Sequence, residues 1–118
     1  MKSISLAALA FLVLVLATGA ADAHALLDRA EPRVGNRVAA PPREVTLWFT
    51  QNIRPVFSSI TVTNAAGERV DTGKAQVRGN QMSVPLRVGG SGTYHVNWHV
   101  LSMDSHTTNG NFTFQVGQ

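Results

Sequence analysis

The run Thr93-Tyr94-His95-Val96-Asn97-Trp98-His99-Val100-Leu101-Ser102-Met103 decides the fold. Tyr94, Val96, Trp98 and Val100 take every second position, and His95, Asn97 and His99 fill the gaps. Successive side chains of a strand point to opposite faces, so this period of two reads as a long strand with one apolar face. The pattern recurs on both sides. Glu44–Gln51 alternates through Val45, Leu47 and Phe49, Phe57–Asn64 through Ile60 and Val62, and Asn111–Val116 through Phe112, Phe114 and Val116. Weaker strands, Gln76–Arg78 and Gln81–Val88, flank a Gly79-Asn80 turn, and Pro85 is expected at an edge or a bulge. No segment repeats apolar residues at helical spacing for three turns. Short strands bounded by Gly, Asn and Pro predict an all-β sandwich or barrel.

The start of the chain reads differently. Lys2 precedes an almost wholly apolar stretch, Ile4 to Ala17, which has the length of a signal-peptide core and is short for a membrane span. Thr18 and Gly19 break the run, and Ala21-Asp22-Ala23 offers the small-x-small pattern of a cleavage site. Residues 1–23 are therefore expected to be a removed leader, leaving 24–118 as a single domain with His24 as its first residue. The alternative is an uncleaved anchor, but no basic cluster follows to stop transfer.

The net charge is +3, and the arginines are scattered from Arg29 to Arg87 without a basic run or interleaved aromatics. No nucleic-acid surface is indicated. The chain has no cysteine, which removes disulfides, thiolate metal sites and cysteine nucleophiles together.

Soft-metal chemistry is left to histidine and methionine. Of the four histidines, His24 stands apart. Once the leader is removed, its α-amine and its ring Nδ1 can close a chelate on one ion. Nitrogens in one plane suit Cu(II), which favours tetragonal N,O geometry. Read alone, His24 is equally the residue that happens to follow the cleavage site. Asp104 and His106 leave the long strand two apart, so a carboxylate and an imidazole can converge to complete a plane of three nitrogens and one oxygen. Read alone, they make an ordinary polar turn. His95 and His99 lie about 13 Å apart along the strand, too far for one ion, and read as surface residues. Met82 and Met103 are too far apart in sequence for a thioether Cu(I) site.

The residues His24-Ala25-x-Leu27, Glu31-Pro32-x-x-Gly35, Pro42-x-x-Val45-x-Leu47-x-Phe49, Tyr94-x-Val96-x-Trp98-x-Val100-x-Ser102-x-Asp104-x-His106 and Gly110-x-Phe112-x-Phe114-x-Val116 follow one another along the chain. This succession resembles the CopC-type periplasmic copper-resistance proteins over essentially all of residues 24–118. The resemblance implies a seven-stranded Greek-key sandwich or barrel of cupredoxin-like or immunoglobulin-like form. It also implies one Cu(II) per chain, held by the amine and ring of His24, the Asp104 carboxylate and His106. Three positions and one stretch depart from or vary within that family. Gln51 stands where many relatives have an acid, Asn64–Gln76 lacks the methionines that some relatives use for Cu(I), Ser105 replaces a frequent Gly or Thr, and His99 a frequent Arg.

A Cu(II) carrier or buffer in the periplasm is the expected function, without enzymatic activity. A monomer is expected, working beside a copper-transport protein of the inner membrane. Free α-amines titrate near pH 7.7–8.0 and histidine near 6.5, so copper uptake should release protons and weaken below about pH 6. The alternatives are a copper monooxygenase with an N-terminal histidine brace and an exported interaction module without metal. The first needs exposed aromatics on a flat platform, whereas Tyr94, Trp98, Phe112 and Phe114 occupy inward positions and leave mainly Trp48 and Phe57.

Overall fold

The computed structural model describes residues 24–87 and 89–117. The expected leader, residues 1–23, lies outside them, as does Val88 at the end of one expected strand.

Eight strands build two sheets: β1 (Leu27–Glu31), β2 (Arg37–Val38), β3 (Glu44–Phe49), β4 (Ile53–Thr63), β5 (Gln76–Arg78), β6 (Gln81–Pro85), β7 (Gly92–Ser102) and β8 (Thr107–Val116). One sheet has the order β1-β3-β6-β5 and the other β2-β8-β7-β4. The chain passes back and forth between them, as an all-β Greek-key sandwich requires. No helix occurs among the described residues. The strand count exceeds the expected seven because the short β2 pairs parallel to β8, through Arg37↔Gln115 and Val38↔Val116.

The alternation of β7 holds along its length: Tyr94, Val96, Trp98, Val100 and Ser102 are buried, and His95, Asn97 and His99 are exposed. Its inward face meets Phe49, Leu47 and Val45 of β3, Met82 and Val84 of β6, and Phe112, Phe114 and Val116 of β8 in one apolar cluster. Each large side chain taken fully from water contributes about 1.5–3 kcal/mol. Trp98 sits edge-on to Phe49 with ring centroids 5.1 Å apart. On its other flank β8 supplies Gly110, where an added Cβ would stand 2.5 Å from the indole.

Two strands run further than their apolar pattern. β8 starts at Thr107, because the polar Thr107–Gly110 stretch continues the ladder opposite Trp98–Leu101. β4 starts at Ile53, where its register against β7 shifts between Arg54 and Ser59, and Phe57 in that bulge has φ 63°. Pro85 does not mark an edge strand: β6 lies inside its sheet, between β3 and β5. The proline is tolerated because it is the last residue of β6, beyond Gln81–Ser83, where β5 pairs.

Candidate metal centre

The turn that joins β7 to β8 carries Asp104 and His106. It is closed by backbone bonds from Ser102 N to His106 O at 2.8 Å and from Ser105 N to Ser102 O at 3.0 Å. Ser105 adopts φ 71°, a left-handed conformation that Gly reaches more easily, at the position where the family resemblance had set a frequent Gly or Thr.

Ser102 organises the turn from beneath. It is fully buried at the end of the inward face. Its hydroxyl donates to Asp104 Oδ1 and accepts from the His106 amide at 3.3 Å. Asp104 Oδ1 in turn stands 3.3 Å from His106 Nδ1. The Ser102 hydroxyl, with the ring and amide of His106, holds the Asp104 carboxyl below the usual carboxylate range, against a smaller opposing cost of desolvation. Arg54 secures the outer side of the turn by donating from Nη2 to the Met103 carbonyl at 2.8 Å.

His24 comes to this turn from the opposite end of the chain. Ala25 is wholly buried, and its carbonyl accepts from Thr108 Oγ1 at 2.6 Å. Leu26 donates to Thr50 Oγ1 at 3.0 Å and accepts from the Thr50 amide at 2.8 Å. With the next two residues clamped, the exposed His24 ring rests edge-on to His106, centroids 5.0 Å apart. Residues 80 and more apart in sequence, His24 on one side and Asp104 and His106 on the other, thus share one end of the sandwich.

Among the described residues no three His, Asp or Glu side chains stand close enough together to hold a metal ion. The Asp104 carboxylate is turned toward Ser102 and His106. His95 and His99 stay apart, exposed on β7 opposite Thr113 and Asn109. The expected ligands carried a sequence signal, whereas Thr50, Thr108 and Arg54 carried none. Ser102 did carry one: it is a polar residue in phase with the apolar face of β7.

The sequence matches the CopC domain family over residues 27–117. It is 37% identical to protein YobA of Escherichia coli strain K12, over 92% of this chain and 91% of that protein. It is 30% identical to copper resistance protein C of Pseudomonas syringae pv. tomato, covering 86% and 87% respectively. Against copper transport protein CutJ of Bacillus subtilis it is 28% identical, over 91% of this chain but only 20% of that protein. Its fold superposes on the crystal structure of CopC from Methylosinus trichosporium OB3b with a TM-score of 0.74 at 30% identity, covering 79% of this chain and 93% of that one. PcoC of Escherichia coli, a methionine-rich copper resistance protein, superposes at 0.68 with 31% identity, over 80% of this chain and 99% of that one. With the match spanning nearly the whole described sandwich, the chain belongs to the CopC domain family.

Proposed function

We propose that the chain is an exported, non-enzymatic carrier or buffer of one Cu(II) ion in the periplasm, with His24, Asp104 and His106 as the ligands. One observation carries this reading. The first residue after the expected leader is held against His106, and His106 is held against Asp104. Cleavage would free an amine on the residue whose ring lies against His106, itself beside Asp104. Nitrogen donors with one carboxylate oxygen suit Cu(II), and methionine is absent from 64–76, so a thioether Cu(I) site is not part of the proposal. Relatives named for copper resistance and copper transport support the same cargo. The long CutJ protein, of which a domain of this kind is a fifth, supports delivery to a copper-transport protein of the inner membrane as the partner step.

Carriage is favoured over catalysis by the aromatic side chains. Tyr94, Trp98, Phe112 and Phe114 are buried in the core, and Trp48 is covered by the Arg29 guanidinium 3.9 Å above its ring. A flat aromatic platform for a polysaccharide is therefore not available on those residues.

The test compares protein that begins at His24 with protein bearing one extra N-terminal residue, by competition titration with Cu(II). The extra residue turns the amine into an amide and should weaken binding by orders of magnitude. Equal affinities would remove His24 from the ligand set, and with it the proposal.

A further inference from the structure

We propose that the groove between the β4 bulge and the β7–β8 turn is a docking site for a short protein segment that presents a carboxylate between apolar side chains. The groove, about 490 Å³, is walled by Val56, Phe57, Leu101 and Met103, with Arg54 and Ser105 also in its lining. Three of the five exposed large hydrophobics among the described residues collect here: Phe57 at 75%, Val56 at 59% and Met103 at 54% exposed.

Two further observations say what kind of occupant fits. Arg54 is the groove's only formal charge, and among the described residues no carboxylate pairs with it. Its Nη2 is engaged by the Met103 carbonyl, but its Nε is buried without an acceptor. A guanidinium that borders an apolar groove without a carboxylate beside it favours one brought by an incoming partner, through its charge. Phe57 is kept outward at φ 63°, a conformation that costs an aromatic residue free energy and does nothing for the core. An anionic membrane would ask for several basic residues on this face, and Arg54 is alone in the groove. A peptide-sized occupant with one acid is the better match.

The location gives docking a purpose, and this part alone rests on the copper proposal. Met103 and Ser105 line the groove and flank Asp104, and Arg54 grips the Met103 carbonyl. A segment seated there would stand beside the donors of the candidate centre, where an ion could pass between the two proteins.

Copper-free protein, ¹⁵N-labelled, is titrated with the acetylated, amidated peptide Leu-Phe-Asp-Leu and with its Leu-Phe-Asn-Leu counterpart. The acidic peptide should shift amides within 53–58 and 101–106, and the Asn peptide should bind at least about tenfold more weakly, as loss of a charged hydrogen bond implies. Arg54→Gln should erase that preference. Phe57→Gly should weaken both peptides while leaving the fold as stable or more so, since glycine accepts a positive φ. Indifference to the acid, or shifts elsewhere on the protein, would overturn the proposal. So would concentration-dependent shifts of the same amides without peptide, which would assign the groove to a second copy. Binding to anionic vesicles that Arg54→Gln leaves intact would also overturn it. Because no copper is present, a failed peptide titration leaves the copper proposal to its own test.

Discussion

At the residue scale, Ser102 is where the fold and the candidate ligands meet. Its backbone ends β7, its side chain is buried with the core, and its hydroxyl orients Asp104 and caps the amide of His106. A ligand that can swing freely must be ordered when it binds, whereas one already aimed by a neighbour loses less entropy on capture. Ser102→Ala should therefore lower Cu(II) affinity by about 10–100-fold, the usual effect of losing an outer-shell partner. It should also move the Asp104 carboxyl upward toward its ordinary range, because the hydroxyl is the largest influence holding it down. A copper titration and an NMR pH titration of the Asp104 carboxyl check the two effects. Unchanged values in both would reduce Ser102 to packing. This role was partly legible beforehand: a serine in phase with Tyr94, Val96, Trp98 and Val100 must have a partner inside.

At the scale of elements, the β7–β8 hairpin sets the spacing of the site. Trp98 lies opposite Gly110 across the ladder, and the missing side chain of Gly110 is the space that the indole fills. A methyl group there would meet Cζ2 at 2.5 Å and Cε2 at 2.8 Å. The ring cannot yield, since it is 8% exposed and already edge-on to Phe49. Gly110→Ala should cost about 1–3 kcal/mol, the range for overpacking a filled core, read as a lower urea midpoint at unchanged slope. The polar start of β8 explains why its first four residues did not read as strand: Thr107–Gly110 looks like a loop, and only pairing with β7 makes it extended. The β4 bulge was hidden for a similar reason. Arg54-Pro55-Val56-Phe57 interrupts the alternation, and nothing in that string says that the chain regains its register at Ser59.

At the scale of the whole molecule, a sandwich without disulfides depends on how its connections are tied to its sheets. Asp71 is one such tie. Its side chain is fully buried, and it accepts from the Val62 amide of β4 at 2.8 Å, from the Gly73 amide at 2.9 Å and from Arg69. Burial opposes its charge, but Arg69 and the Val62 and Gly73 amides outweigh burial and hold its carboxyl below the usual range. A carboxyl depressed in the folded state adds stability above its unfolded value, near 3.9, and that stability is lost as pH falls through the folded value. Stability should thus decline in acid below about pH 4. Asp71→Asn should lose about 1.5–3 kcal/mol at neutral pH and show a flatter acid limb, with some of the Arg69 share screened because that side chain is 59% exposed. Urea unfolding at a series of pH values measures both, and parallel curves for the two proteins would exclude Asp71 as the tie.

The sequence by itself determined the all-β class, the inward residues of the strands and the identities of His24, Asp104 and His106 as candidate donors. Period-two alternation and donor chemistry are local properties that one stretch of chain displays without its neighbours. Only the tertiary structure decided that His24 reaches His106, that Thr108 and Thr50 clamp the segment which carries it, and that Arg54 grips the Met103 carbonyl in a groove beside the same turn. These are contacts between residues tens of positions apart, set by which strands become neighbours when two sheets bury a common core.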